Sequence, residues 1–178
     1  MKLDLYGWFP KENEETLAKL IKENNIKTVI EIGCFLGKST KFFVEQGCTV
    51  ISIDTFEGAS DLNGCEEVQK RLPNLYAQFL FNLKELGIED KVKVFKGTSE
   101  EAFNNLLSYW TADMIFIDGS HKYEDVKKDI EIWKDRAFKV ICGDDYTDVH
   151  LDIKKAVDEL LPNADTNQRV WFYNKNKK

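Results

Sequence analysis

Short apolar runs alternate with amphipathic segments along this chain, and this alternation limits the fold more than any other feature. Each run is soon followed by glycine or aspartate, and segments with apolar residues at helical spacing separate the runs. Strands that alternate with helices are typical of a parallel sheet covered on both faces. The sequence therefore predicts an α/β fold with a doubly wound, mostly parallel sheet and helices on both faces. The predicted strands are 28–32, 49–53, 92–95, 114–117 and 139–142.

The segments between these strands carry helix signals. Asn13 stands where it can cap a first helix, and Thr98 with Glu101 forms a capping box for a later one. Pro73 is predicted to begin a helix, because its missing N–H costs nothing at that position. Further elements follow from the same patterns. They are helices over 13–24, 38–46 and 152–161 and one clear strand after the fifth, over 169–173.

The length of the chain favours one domain, and its net charge disfavours a nucleic-acid partner. The chain has 178 residues, enough for a single domain with a full core. We predict one domain over 1–178, with an N-terminal helical segment over 1–26 and a lid or acceptor loop over 55–72. The formal net charge is −6. No nucleic-acid partner is expected, because binding a phosphate backbone needs a basic face.

Cysteine spacing and hydropathy indicate a cytoplasmic protein. The four cysteines include no CxxC pair and no zinc-type spacing. No apolar run is long enough to cross a bilayer, and the N-terminus lacks the apolar region of a secretion signal. Reduced thiols in an intracellular protein are the plain interpretation, and no membrane partner is expected.

A glycine loop over residues 31–40 joins the first strand to the helix that follows it. A phosphate-binding loop needs four residues between its glycines, but only three lie between Gly33 and Gly37. A dinucleotide-binding loop needs a second glycine where Phe35 stands. A ligand without a pyrophosphate is the third interpretation. In that case Asp54, which ends the next strand, can accept ribose hydroxyls.

Three segments resemble one branch of the class I S-adenosylmethionine-dependent methyltransferases. Residues 29–40 resemble its E-I-G-x-x-x-G-x-S-T motif, and residues 116–126 resemble its D-G-x-H-x-Y-x-x-V motif. Residues 143–146, Gly-Asp-Asp-Tyr, match the end of its fifth strand. The branch includes macrocin-type O-methyltransferases and cephalosporin-hydroxylase-like proteins. The resemblance implies a Rossmann-like fold with an antiparallel final strand, S-adenosylmethionine as cofactor, and O-methylation of a small hydroxylated acceptor.

The resemblance also implies which residues bind the cofactor. They come from the glycine loop and from the ends of the second, third and fourth strands. At the third strand end, Thr98 stands near the place where many relatives have an acid that contacts adenine. The predicted cofactor-binding residues are Glu31, Gly33, Cys34, Phe35, Gly37, Ser39, Asp54, Thr55, Thr98, Ser99 and Asp118.

Acids and a histidine at two strand ends predict the chemistry. Carboxylates without histidine or cysteine ligands suit Mg²⁺, and the metal-dependent enzymes of the resembled branch have acids at the positions of Asp118, Asp144 and Asp145. His121 is the predicted catalytic base, because histidine titrates near neutrality. In the alternative interpretation the acids only orient loops, and transfer needs no metal or goes to nitrogen. His150 is predicted to be a surface or capping residue.

Other interpretations stay open at this point. Trp8 and Phe9 either form part of a lid or pack the N-terminus against the core. A P-loop-like nucleotide-binding protein would bind nucleoside triphosphates through Lys38. A non-catalytic module would bind S-adenosylmethionine without transferring its methyl group. The sequence predicts neither the identity of the acceptor nor the oligomeric state.

Overall fold

One sheet organises the part of the chain that the computed structural model describes, which is residues 1–58, 65–105 and 111–176. Its strands are β1 (Thr28–Ile32), β2 (Thr49–Asp54), β3 (Val92–Lys96), β4 (Ala112–Ile117), β5 (Ala137–Gly143), β6 (Asp165–Asn167) and β7 (Val170–Asn174). They pair in the order β3-β2-β1-β4-β5-β7-β6. The first five strands run parallel, whereas β7 runs antiparallel to β5 and β6.

Helices cover both faces of this sheet. They are α1 (Lys11–Glu23), α2 (Lys38–Glu45), α3 (Glu66–Gln69), α4 (Leu75–Glu85), α5 (Ser99–Asn105), α6 (Tyr123–Trp133) and α7 (Leu151–Leu160). The helices α1, α2 and α4 pack on one face, and α5, α6 and α7 pack on the other. The predicted Rossmann-like, doubly wound fold with an antiparallel final strand is confirmed. None of the described helices has the length and apolarity needed to span a bilayer.

Alternate side chains of the central strands enter two separate cores. In β1, Val29 belongs to the first core and Ile30 to the second, and both are buried. Phe116 of β4 packs against Phe43 of α2, with ring centroids 5.3 Å apart, whereas Trp133 of α6 is buried in the second core. Because both faces are buried, the strands read as continuous apolar runs rather than as an alternating pattern.

Three local predictions need correction. The helix α1 begins at Lys11 behind Pro10, so Asn13 does not cap it; Asn13 is fully buried instead. Pro73 lies in a short 3₁₀ turn over 72–74 that leads into α4. A second strand, β6, also follows β5. Its three residues are polar and exposed, so no apolar pattern marks it.

The carboxyl ends of the central strands lie level with one another. Ile32, the last residue of β1, pairs with Ile53 of β2 and with Ile117 of β4, and Ile117 pairs with Gly143 of β5. The chain reverses its strand order between β1 and β4. In open α/β sheets a ligand binds beyond the strand ends at such a switch point.

Gly33 follows β1 at this switch point and leaves no room for a side chain. Its φ is +84°, and a Cβ atom built there would lie 2.2 Å from the carbonyl oxygen of Asp118. Glycine is therefore required both by the backbone conformation and by the close approach of the loop after β4. The predicted importance of this loop glycine has a steric cause.

A buried carboxylate fixes the start of α2 against β1 and β2. Glu31 is fully buried, and it accepts hydrogen bonds from Ser39 Oγ at 2.5 Å, Thr40 Oγ1 at 2.5 Å and Ser52 Oγ at 2.9 Å. Burial raises the pKa of Glu31 to about 7, although the three hydroxyl groups oppose that rise. The hydrogen bonds to Glu31 therefore fix both ends of the glycine loop, at β1 and at the start of α2.

Replacing Gly33 by alanine should destabilise the fold more than replacing Gly47 does. Both residues have left-handed backbones, with φ of +84° and +83°, but a Cβ at Gly47 would meet no atom within 4 Å. The left-handed conformation costs about 1–2 kcal/mol in either variant. The collision with Asp118 should add about 1–3 kcal/mol in Gly33→Ala alone. Urea unfolding measures both values, and equal losses would contradict the steric argument.

Replacing Glu31 by glutamine should flatten the dependence of stability on pH. The folded pKa of Glu31, about 7, lies above its ordinary value of 4.5. The stability that Glu31 contributes is therefore full below pH 4.5 and is lost as the pH rises through about 7. The size of this loss is on the order of 3 kcal/mol.

The test for Glu31 is urea unfolding between pH 5 and pH 8, a window set by this raised pKa. Glu31→Gln should lose less stability across that window than the wild type, since glutamine keeps a hydrogen-bond acceptor without a charge. Glu124→Gln, at an exposed position of α6, is the matched control and should follow the wild type. Parallel curves for wild type and Glu31→Gln would contradict the raised pKa.

Candidate active site

A cleft of about 810 Å³ opens at the carboxyl edge of the sheet. The glycine loop, the loops after the other parallel strands and an N-terminal segment over 6–9 form its walls. The structure brings most of the predicted site residues to this cleft: Gly33, Cys34, Phe35, Ser39, Asp54, Thr55, Thr98, Ser99, Asp118, His121 and Asp145. Glu31, Gly37 and Asp144 do not line it, so a role for them at the site stays a prediction.

The side chains that a phosphate loop would use are committed elsewhere. Ser39 Oγ donates to Glu31, and Lys38 Nζ donates to the carbonyl oxygen of Gly7 at 3.3 Å. A phosphate loop needs its lysine and serine on the phosphate and the magnesium ion. This arrangement disfavours the nucleoside-triphosphate interpretation.

Asp54 lines the cleft, but its carboxylate already binds the glycine loop. Oδ2 accepts the backbone N–H groups of Cys34 and Phe35, each at 2.8 Å, and Oδ1 accepts that of Phe56 at 2.7 Å. A carboxylate offers about four lone-pair sites, so roughly one is left for a ligand. Ribose recognition by Asp54 stays a prediction, and holding the loop is the role that its contacts support.

Cys34 contributes its backbone rather than its thiol to the cleft wall. Its side chain is buried, and burial together with the nearby acids raises the pKa of the thiol well above its usual value. A thiol in that state is a poor nucleophile. This agrees with the absence of any nucleophile signal in the sequence around it.

Ser99 and Asp129 close the cleft beyond β3. Ser99 Oγ donates to Asp129 Oδ1, and Asp129 is 8% exposed. Burial raises the pKa of Asp129 to about 6, although the hydrogen bond from Ser99 opposes the rise. The predicted capping box is confirmed, because the backbone N–H of Thr98 donates to Glu101 and that of Glu101 donates to Thr98 Oγ1. Asp129 was not among the predicted site residues, since an acid beside two lysines on a helix resembles a solvated residue.

Aromatic side chains of the N-terminal segment and the glycine loop form another part of the cleft wall. Trp8 is 49% exposed, and its ring centroid lies 5.4 Å from that of Tyr6 and 6.4 Å from that of Phe35. Phe9 instead is buried against Phe42, with centroids 5.4 Å apart. Phe9 therefore packs the N-terminus against the core, whereas the lid role of Trp8, which lines the cleft, stays a prediction.

The predicted lid can be placed only in part. Thr55 and Gly58 line the cleft, and α3 follows over Glu66–Gln69. Residues 59–64 lie outside the described part of the chain. The lid or acceptor role of residues 55–72 stays a prediction.

The three predicted metal-binding acids do come together. One carboxylate oxygen from each of Asp118, Asp144 and Asp145 lies within 4.8 Å of the others. Arg169 lies against two of them, because its Nε donates to Asp144 Oδ1 at 2.9 Å and its Nη2 donates to Asp145 Oδ1. Asn13 Nδ2 donates to Asp144 Oδ2 at 2.6 Å. The acid cluster therefore already contains a cation and an amide donor.

These contacts set the pKa values of the acids. Burial raises the pKa of Asp145, but the hydrogen bond from His121 and the charge of Arg169 outweigh it, and the net pKa lies below its usual value. The pKa of Asp144 is raised by burial and by repulsion from Asp145. Burial and the negative charges of Asp144 and Asp145 raise the pKa of Asp118 well above its usual value.

A magnesium ion does not fit the acid cluster in this arrangement. Mg²⁺ needs accessible oxygen ligands in an octahedron, with room for several waters. The Asp144 side chain is 1% exposed and both its oxygens accept protein donors, while the Arg169 guanidinium bridges Asp144 and Asp145. The ion and the guanidinium would compete for the same oxygens. We therefore assign no step of the chemistry to a metal ion.

His121 and His150 form a pair above the same acids. His121 Nε2 lies 2.9 Å from Asp145 Oδ2, His150 Nε2 lies 3.7 Å from Asp145 Oδ1, and the two rings are 4.3 Å apart at their centroids. His150 does occupy the residue before α7, as expected for a capping position. Its side chain makes no capping hydrogen bond, however, and it lines the cleft. The surface assignment of His150 was incomplete.

Arg169 is the main site residue that the sequence analysis missed. It directly precedes β7, whose Trp171 pairs with Gly143 at the end of β5. In an antiparallel pair the first residues of one strand lie beside the last residues of the other. The antiparallel pairing of β7 with β5 therefore indicates the position of Arg169, because a residue just before β7 lies beside the acids that follow β5.

Comparisons with known proteins place this chain among methyltransferases. The family model described as a methyltransferase domain matches residues 30–163. The fold is similar to that of an O-methyltransferase from Bacillus cereus solved in complex with SAH, at 17% identity and a TM-score of 0.67, covering 97% of this chain and 84% of that one. No curated protein sequence matches the chain.

Two further solved structures share the fold. TomG, an O-methyltransferase of tomaymycin synthesis from Streptomyces achromogenes in complex with SAM, is 13% identical with a TM-score of 0.68, covering 93% of this chain and 79% of its own. Cofactor-bound Rv0187 from MTB is 16% identical with a TM-score of 0.69, covering 96% and 82%. The family match spans most of the chain, and its loops carry the cleft described above. This protein belongs to the methyltransferase domain family.

Proposed function

We propose that this protein transfers the methyl group of S-adenosylmethionine to a hydroxyl oxygen of a small molecule. The observation that carries the proposal is the pairing of His121 Nε2 with Asp145 Oδ2 at 2.9 Å, inside the cleft that the glycine loop lines. A base is thus held beside a site built for a nucleoside-containing ligand. O-methyltransferases that bind SAH or SAM have the same fold, which agrees with this proposal.

The glycine loop and the neighbouring strand ends would hold the cofactor. Gly33 lets the ligand approach the backbone, Asp54 keeps the loop in place, and Ser99 with Asp129 offers polar groups at the far end of the cleft. Bound there, S-adenosylmethionine supplies an activated methyl group on a sulfonium. The protein then has to align the acceptor and remove its proton.

His121 is placed to take the acceptor proton. Its contact with Asp145 holds the neutral imidazole in the tautomer that keeps a proton on Nε2, so the basic lone pair is on Nδ1. Asp145 also stabilises the imidazolium that forms when the acceptor is deprotonated, as a carboxylate does for the histidine of a catalytic triad. Asp145 acts through His121 and is therefore a positioning residue.

The walls of the cleft indicate the acceptor class. Trp8 and Phe35 offer aromatic surface, while His121, His150 and Arg169 offer polar groups in the same cleft. A small molecule with a flat or ring-shaped apolar part and a hydroxyl group matches both. The negative net charge of the chain disfavours nucleic acid, and buried free thiols suit a cytoplasmic location.

Calorimetric titration should detect S-adenosylmethionine binding to the wild-type protein. Gly33→Ala should weaken the binding at least about tenfold, because the loop has to move away from the carbonyl of Asp118. Gly47→Ala, which has the same backbone conformation in open space, should bind like the wild type. Binding of ATP instead of S-adenosylmethionine would overturn the proposal and restore the phosphate-loop interpretation.

Replacing His121 by asparagine should abolish transfer while preserving cofactor binding. The loss of a general base lowers kcat by about 10²–10⁴-fold. The measurement is S-adenosylhomocysteine formation with a panel of catechols, phenols and sugars, together with calorimetry of the same variant. Asp145→Asn should lower kcat less, because it leaves the imidazole in place. Methylation at the wild-type rate by His121→Asn would remove His121 from the mechanism.

A further inference from the structure

Arg169 bridges two acids at the place where the sequence predicts a metal ion. Its Nε donates to Asp144 and its Nη2 donates to Asp145, so that one guanidinium connects two consecutive carboxylates. The side chain of Arg169 is 31% exposed and lines the cleft, whereas that of Asp144 is 1% exposed. The cation thus lies between the buried acid and the open cleft.

Further hydrogen bonds hold Asp144 in this arrangement. Asn13 from α1 donates to Asp144 Oδ2 at 2.6 Å, and the backbone N–H of Asp145 donates to Asp144 Oδ1 at 2.6 Å. Asp145 has a left-handed backbone, with φ of +62°, which turns its carboxylate toward Arg169 and the histidines. The backbone carbonyl of Arg169 also accepts the N–H of Tyr146 at 2.9 Å. Both the guanidinium and the main chain of Arg169 are therefore fixed at the end of β5.

We infer that Arg169 takes the place of a divalent cation among Asp118, Asp144 and Asp145, so that this acid cluster holds no metal ion. The single positive charge of the guanidinium offsets part of the negative charge of Asp144 and Asp145, and its contact fixes the carboxylate that orients His121. Arginine suits this task because it stays charged and binds carboxylates through a planar fork of N–H groups. The inference rests on the proposed function for the part played by His121, but the question of which cation the acids hold is separate from it.

Manganese binding tests the inference on the protein alone. Mn²⁺ added to the wild-type protein, and followed by the electron paramagnetic resonance signal of the free ion, should show no stoichiometric site. Arg169→Met removes the charge and keeps a long side chain, so the freed acids should bind Mn²⁺ at least about tenfold more tightly. Adding Asp144→Asn to that variant should abolish the gain.

Two control variants keep the result interpretable. Arg169→Lys keeps the positive charge and should exclude Mn²⁺ as the wild type does, although it cannot bridge two acids as arginine does. Arg136→Met changes an arginine in a turn before β5 whose guanidinium lies over Phe103, and it should not create a site. Thermal unfolding confirms that each variant is folded.

The outcomes separate clearly. Stoichiometric Mn²⁺ binding by the wild type that Asp144→Asn abolishes would overturn the inference, and so would a folded Arg169→Met variant with no gain in Mn²⁺ binding. A wild type without a site, together with a gain in Arg169→Met that depends on Asp144, supports it. Titration of S-adenosylmethionine into the same wild-type sample reports on the proposed function independently. If the cofactor fails to bind, the proposed function fails while the Mn²⁺ result still decides which cation the acids hold.

Discussion

The carboxylate of Glu31 is the contact on which the shape of the cleft depends. It is buried between β1, β2 and α2, and three hydroxyl groups from α2 and β2 donate to it. Asp54 holds the same glycine loop from the other side, through the N–H groups of Cys34 and Phe35. Two acids therefore clamp one loop, and Gly33 in that loop lies too close to Asp118 to carry a side chain. These hydrogen bonds, together with the burial of Cys34 and Leu36 in the first core, determine where this loop runs.

Charge balance governs the other half of the cleft. Asp118, Asp144 and Asp145 follow two adjacent strands, and such a cluster is stable only when protons or cations offset its charge. Arg169 and His121 supply this for Asp145, whose pKa lies below its usual value because their contacts outweigh its burial. Asp118 lacks such a contact among the described residues, and burial and the neighbouring acids raise its pKa. The two acids therefore differ: Asp145, which contacts His121, loses its proton more readily than an ordinary aspartate, and Asp118 retains its proton more strongly.

The sequence predicted the fold and the position of the cleft because both follow from short-range patterns. Apolar runs such as 28–32 are buried on both faces of the sheet, and Gly33 with His121 follows strands whose ends align. The contacts of Asn13 and Arg169 join residues 131 and 25 positions from Asp144, so no short-range pattern shows them, and only the antiparallel pairing of β7 with β5 indicates that of Arg169. They depend on how α1 and β7 pack at the end of β5. Glu31 was expected to bind the cofactor, but no pattern shows that its side chain enters the core.

The position of β7 connects the fold to the chemistry. An antiparallel strand beside β5 must begin at the carboxyl edge, so the residue before it reaches the cleft, as Arg169 does. After β5 the chain passes through α7 to β6, which runs antiparallel to β7 and therefore ends at the carboxyl edge. The short turn between β6 and β7 thus brings Arg169 to the active site. Trp8 and Phe35 add aromatic surface to the same cleft that His121 and Asp145 line.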